Sequence, residues 1–224
     1  MIPGKPFTLR DARLVIFDWD GTLYRSVDLI QNSIVAAGHD VGHEIPAAVA
    51  RSIIGLGLKA AQKLLFPGLS EDDKPFFTRF HLAYRRHYDA GEAGVPLYEG
   101  AYELVRDLVG AGRVVAVATA KSRQGINRSL QVTGLDQFIR HTRTPEECRP
   151  KPDPQMIDEL LAESKTARES AVMVGDTTHD LKMAVNARVA CVGICHGAHA
   201  EGELLSVNPL AVVPDIAKLR LLLL

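Results

Sequence analysis

Residues 13–23 read RLVIFDWDGTL. Four apolar residues, Leu14, Val15, Ile16 and Phe17, stop abruptly at two carboxylates, Asp18 and Asp20, and a glycine, Gly21. A short unbroken apolar run with such a boundary predicts a strand buried on both faces, and strands of that kind belong to parallel sheets covered by helices. Ligands of open parallel sheets bind beyond the carboxyl ends of the strands, where Asp18 and Asp20 fall. Carboxylates at i and i+2 repel one another, which predicts either a bound cation or one carboxyl of raised pKa. Gly21 permits a sharp turn. Taken alone, the stretch also suits a solvated DxDG turn.

Working outward, the texture changes twice. From about residue 27 to residue 90, apolar residues recur at helical spacing in VDLIQNSIVAAG, AAVARSII, LKAAQKLLF and PFFTRFHLAYRRHYDA, broken by glycine or proline and without a strand-like run. After GVP at 94–96, helical and apolar stretches alternate. Helical 101–109 leads to VVAVA at 114–118, and helical 122–132 follows. Helical 154–162 leads to AVMVG at 171–175, helical 180–187 to VACVGI at 189–194, and AVV at 211–213 precedes a last helix. Strands alternating with helices predict βα units and a parallel sheet, here of five strands. The parse is an α/β core formed by 1–23 plus 95–224, with an all-helical domain, 24–94, inserted after the first strand.

Bulk properties agree. At about 150 residues per domain, 224 residues make one and a half domains. The chain is 46% hydrophobic and 24% charged, and 26 basic against 27 acidic residues give a net charge of −1. That balance excludes a broad basic surface for nucleic acid and an acidic disordered tail. No stretch approaches the ~20 apolar residues of a membrane span, and the final LRLLLL is far too short, so no membrane partner is expected. MIPGKPFTLRDAR lacks the apolar core of a signal peptide. Three cysteines, Cys148, Cys191 and Cys195, make no full disulfide set, and the expected setting is a reducing cytoplasm.

Other strand ends carry further chemistry. Thr119-Ala120-Lys121-Ser122 places a hydroxyl where a helix begins, an arrangement that suits phosphate, although Thr119 or Ser122 also reads as a plain helix cap. In RPKPDP, 149–154, prolines on both sides stiffen the backbone around Lys151, which suits a fixed anion or an exposed loop lysine. GDTTHD, 175–180, puts Asp176 at a strand end and Asp180 four residues on, with a helix cap and first-turn acid as the ordinary reading. All four stretches share one sheet end. Their carboxylates, lysine and hydroxyl fit a divalent cation plus a phosphate.

With all four motifs in order, the sequence resembles the haloacid dehalogenase superfamily of phosphohydrolases across essentially its whole length. GDTTHD and the following LKMAVNARVACVGICHGA, with the IGLGL segment at 54–58, look most like the phosphoglycolate phosphatase-like branch. The resemblance implies a Rossmann-like three-layer α/β/α core with a helical cap that would exclude water and select substrate. It implies that Asp18 is a nucleophile forming an aspartyl-phosphate, and that Asp20 is the leaving-group acid and then the base for water. It implies Mg²⁺ held by Asp18, the Asp20 carbonyl and Asp176, with Asp180 in support directly or through water. Thr119, with Ala120 and Gly21 nearby, would bind the phosphoryl group, and Lys151 would neutralise charge between nucleophile and phosphate. Gly55 to Lys59 would approach the leaving group. The implied substrate is a small phosphorylated metabolite, first of all 2-phosphoglycolate, hydrolysed by a monomer or homodimer. Nucleotide or pyrophosphate hydrolysis and a phosphoglucomutase-type transfer are the alternatives. A receiver-type phosphoacceptor domain is the non-enzyme rival, but such domains are shorter and lack the insertion.

The intact Asp20 argues against dehalogenase and phosphonate-hydrolase chemistry. One departure is Arg25, where many relatives carry Asp (DGTLxDS): either an exposed hinge residue or a contact for an anionic substrate group. Cys191, Cys195, His196 and His199 hint at zinc, but free cysteines in an apolar strand behave as small core residues. His179 reads as solvent-facing or as tuning the metal site. The basic run at 79–87 reads as a solvated face or a substrate entrance.

Overall fold

Leu14, Val15, Ile16 and Phe17 form β1 (Leu14–Phe17), every residue of it buried, at the centre of a six-stranded parallel sheet. The computed structural model describes residues 8–70 and 72–224. The other strands are β2 (Val114–Ala118), β3 (His141–Arg143), β4 (Ala171–Gly175), β5 (Ala190–Ile194) and β6 (Ala211–Val213), in spatial order β3-β2-β1-β4-β5-β6. β1 pairs with β2 on one side and β4 on the other, Phe17 lying between Val117 and Val174. Side chains alternate across a strand, and β1 shows it. Val15 and Phe17 pack with α5 (Ala101–Gly110), α6 (Arg123–Thr133) and α10 (Ile216–Leu223), through Leu104, Ile126 and Leu219 among others. Leu14 and Ile16 pack on the opposite face with α7 (Gln155–Ser164), α8 (Thr178–Asn186) and α9 (Glu201–Leu205), through Met156, Leu160 and Leu181. The result is a Rossmann-like α/β/α sandwich.

Apolar runs alone predict five strands, and β3 is the sixth. It has three residues, His141, Thr142 and Arg143, all half-buried at the sheet edge and paired only with β2. A polar edge strand that short carries no hydrophobic signature.

Between β1 and β2 lie α1 (Val27–Asp40), α2 (Ala47–Ser52), α3 (Leu58–Leu65) and α4 (Lys74–Glu92). They bury a cluster of their own, separate from both faces of the sheet. Ile30, Ile34 and Ala37 supply the α1 stripe. Phe66 meets Phe76, Phe77 and Phe80 edge-on, with ring centroids 4.9, 6.0 and 4.9 Å apart. Chain entry and exit run side by side: Tyr24 and Leu97 form an antiparallel bridge, the Arg25 amide donates to the Pro96 carbonyl (3.0 Å) and the Tyr98 amide to the Leu23 carbonyl (2.9 Å). Tyr24 itself belongs to the sheet cluster, stacked 5.5 Å from Trp19. Among the described residues, no helix is long and apolar enough to cross a membrane.

Phe66 is 3% exposed and touches three other phenylalanines. Phe66→Ala is expected to cost about 3–5 kcal/mol in urea unfolding monitored on the helical insertion, as for other buried aromatic truncations; a loss below about 1 kcal/mol would show that these helices have no specific core.

Candidate active site

The sheet reverses its order of growth between β1 and β4, and such switch points open a crevice at the strands' carboxyl ends. Asp18 leaves β1 there, its amide donating to the Val174 carbonyl (2.9 Å), and Asp176 leaves β4 beside it. Asp18 is 3% exposed, and Asp176 and Asp180 are fully buried. Ligand-type oxygens of the three lie within 4.8 Å of one another.

Lys151 sits among them, fully buried at its side chain. Its Nζ donates to Asp18 Oδ1 (2.6 Å) and to Asp180 Oδ1 (2.5 Å). The second Asp180 oxygen accepts from the Thr177 amide (3.0 Å) and hydroxyl (2.7 Å). Thr177 thereby caps α8, so Asp180 is at once a capping partner and the anchor of Lys151. Asp176 Oδ1 accepts from the Thr22 hydroxyl (2.8 Å) and Oδ2 from the Ala198 amide (2.7 Å).

Close approach requires bare backbone around these carboxylates. Gly21 has φ +88°, and a Cβ there would overlap the Asp176 carboxylate. A Cβ on Gly197 would overlap the same carboxylate.

Burial pushes Asp18 well above the usual carboxylate range; Lys151 opposes that rise, while Asp180 and Asp176 add to it. Asp176 is pushed up to about 7, by burial first and then by the Asp180 charge. Burial disfavours the Lys151 ammonium, but Asp18 and Asp180 more than offset it and hold the group charged. The site therefore holds more carboxylates than its one lysine can keep ionised.

Its donor set is hard oxygen, which fits a small divalent cation such as Mg²⁺. Asp180 accepts three hydrogen bonds, from Lys151 and twice from Thr177, whereas Asp176 accepts two and Asp18 one, so Asp18 and Asp176 keep the most capacity. The Asp20 side chain stands outside that trio.

Asp20 Oδ1 accepts from the Ser26 hydroxyl (2.7 Å) and from Lys121 Nζ (3.3 Å). Ser122 takes the cap of α6 through the Gly125 amide (3.1 Å), which leaves the Thr119 hydroxyl free of that task. Thr119, Ala120, Asp18, Asp20 and Gly55 all line one cavity of about 590 Å³ between sheet and helical insertion. Gly55 has φ +85° and packs against Thr177.

Arg25 is not brought to this cavity. It is exposed and borders a separate depression of about 260 Å³ with Arg51, Tyr98 and His196. Lys59 falls in α3, and its side chain lies outside the described residues. Of the 79–87 run, Arg85 lines the main cavity, whereas Arg86 and His87 pair with Asp40. His196 stacks on Tyr98, 3.6 Å between centroids, and Cys191 is buried in β5. Among the described residues, only Asp18, Asp176 and Asp180 bring three metal-type ligands together, which removes the zinc hint. His179 is half-buried, and burial pulls it down to about 4, so the ring is neutral.

Sequence reasoning missed Lys121 as a site residue. Its Nζ is nearly buried and meets Tyr88 Oη (2.5 Å) and Glu92 Oε1 (3.5 Å) from α4 as well as Asp20. The available signal was its place two residues beyond Thr119, at the same strand end.

A switch-point crevice with an acidic pair leaving β1, a buried lysine and a second acidic loop after β4 defines a haloacid dehalogenase-type hydrolase site. The family model for haloacid dehalogenase-like hydrolases matches residues 15–194, and the chain belongs to that family. It is 32% identical over 211 residues to "Probable phosphatase IndB" of Dickeya dadantii, covering 92% of this chain and 90% of that protein. It is 27% identical over 201 residues to "Pyrophosphatase PpaX" of Listeria welshimeri, covering 87% and 88%. The fold matches the crystal structure of a "predicted phosphoglycolate phosphatase" from Haemophilus somnus with a TM-score of 0.82 at 22% identity, covering 93% and 96%.

Removing Lys151 leaves Asp18 and Asp180 buried and unpaired. Lys151→Met is expected to lower unfolding free energy by about 3–5 kcal/mol near neutral pH. The deficit should shrink toward pH 5 as Asp18, already raised by burial and now without its lysine, takes up a proton. Urea unfolding across that range checks it; a pH-independent loss would mean that packing, not charge, is the cause.

Proposed function

We propose that the protein is a Mg²⁺-dependent phosphomonoester hydrolase working through an aspartyl-phosphate on Asp18. The observation that carries this reading is the pairing of Asp18 with Lys151 on one oxygen, beside Asp176 and in the same cavity as Asp20 and Thr119. Lys151 orients the Asp18 carboxylate and leaves its other oxygen to attack phosphorus. As the Asp18 O–P bond forms, the ester P–O bond breaks and Asp20 gives its proton to the departing alkoxide. Asp20, then a carboxylate, takes a proton from water that attacks phosphorus; inorganic phosphate leaves and Asp18 is restored. Ser26 and Lys121 hold Asp20 in place for both transfers. Thr119 and Lys151 bind phosphoryl oxygens. Asp18, the Asp20 carbonyl and Asp176 would hold the cation, with Asp180 in support; when bound, it would supply the positive charge that keeps Asp18 and Asp176 ionised and screens them from an anionic substrate.

Residues 24–94 act as the lid over this chemistry. The substrate is a small phosphorylated metabolite. 2-Phosphoglycolate is the first to test, and the pyrophosphatase named among the relatives puts pyrophosphate beside it. The protein works as a monomer or homodimer in a reducing cytoplasm, a setting supported by its three unpaired cysteines.

Phosphate release from 2-phosphoglycolate, sugar phosphates, nucleotides and pyrophosphate should require Mg²⁺ and stop with a chelator. Asp18→Asn should abolish turnover. Asp20→Asn should lose about 10²–10⁴ in kcat for alkyl phosphates and much less for p-nitrophenyl phosphate, whose leaving group needs no proton. Wild-type turnover in Asp18→Asn would end the proposal.

A further inference from the structure

We infer that Arg51 is a positioning residue through which the helical lid sets the cation-holding geometry of Asp176. The inference rests on the reading of Asp18 and Asp176 as the cation site. Arg51 lies near the end of α2, and its guanidinium crosses to the core. Nη2 donates to the Gly197 carbonyl (2.6 Å) and Nε to the Ala198 carbonyl (3.1 Å). The peptide group that joins Gly197 to Ala198 carries on its other edge the amide that donates to Asp176 Oδ2 (2.7 Å). One planar peptide thus has a guanidinium on its oxygen and a carboxylate on its nitrogen. A cation on the carbonyl polarises the unit and makes its N–H a stronger donor, as in any hydrogen-bonded chain. The His199 amide, donating to the Asp176 carbonyl (3.2 Å), completes the wrap of this loop around Asp176.

The planar fork of arginine suits two successive carbonyls and holds both in a fixed geometry, which the point charge of a lysine does not. Its third arm pairs with Asp28 of α1 (3.4 Å), an exposed carboxylate that orients it. The chain just beyond Arg51 docks on the rest of the rim: Gly55 packs on Thr177 and Gly57 on Pro150, next to Lys151. Lifting the lid would withdraw Arg51 from the peptide and loosen the amide that holds Asp176. Coupling of this kind is reciprocal, so cation binding must favour the docked lid to the same degree.

The test is calorimetric titration of Mg²⁺ alone into the full-length wild type, Arg51→Gln, Arg51→Lys and Asp176→Asn, with amide exchange of residues 195–200 and of α2 read by mass spectrometry. Arg51→Gln should weaken Mg²⁺ binding about fivefold or more, the usual range for such coupling. Arg51→Lys should recover part of it, and Mg²⁺ should slow exchange in α2 of the wild type but not of Arg51→Gln. Should Arg51→Gln fold poorly, Asp28→Asn, which only loosens the guanidinium, should weaken binding in the same direction by less. Mg²⁺ affinity in Arg51→Gln or Asp28→Asn equal to wild type, with Asp176→Asn weakened, overturns the role of Arg51 alone. No binding by the wild type, or undiminished binding by Asp176→Asn, removes the cation reading and this inference with it.

Discussion

Three buried carboxylates share one buried lysine, and most of the catalytic face is arranged around that imbalance. Burying charge is costly unless partners and hydrogen bonds compensate. Here Lys151 answers Asp18 and Asp180, while Asp176 is left to a hydroxyl and an amide. The bare backbones of Gly21 and Gly197 exist because nothing larger fits against Asp176. A crevice with more carboxylates than cations is receptive to a divalent cation.

The same constraint ties secondary structure to chemistry. Asp180 completes the N-terminal cap of α8 with one oxygen and anchors Lys151 with the other. The start of α8 and the position of the lysine are therefore not independent. Gly175 belongs to the same arrangement, since a Cβ there would overlap Asp180. The loop following β5 plays the matching part for Asp176 and is in turn gripped from the lid by Arg51.

Much of this was legible in the residues. β1, β2, β4 and β5 are dense apolar runs, and the switch from alternating βα texture to helices alone marks the insertion. The acidic pair, Thr119, Lys151 and the second acidic loop could be placed at one sheet end because parallel topology forces strand ends together. What escaped detection lacks a local signature. β3 is polar and short because an edge strand needs no apolar face. Lys121 meets Tyr88 and Glu92 only because α4 reaches the loop that follows β2, contacts between residues 33 and 29 positions apart by way of side chains alone. Arg51 acts through backbone carbonyls some 146 residues downstream, and backbone groups leave no trace in composition. Arg25 was attractive for its charge and its closeness in sequence to Asp20, but the turn through Tyr24 sends it to the outer side of the hinge.

The paired crossing at Tyr24 and Leu97 has a consequence for ancestry and engineering. Because the insertion departs and returns at adjacent points, the sheet experiences it as a single punctuation mark between β1 and β2. Its helices bury an apolar cluster distinct from those on the two faces of the sandwich. A segment with those two properties can be lengthened or replaced without disturbing the sheet, provided that the replacement restores the arginine on the Gly197 and Ala198 carbonyls and the partners of Lys121. The vestibule is in that sense interchangeable in its walls, but not in the few side chains that it extends to the core.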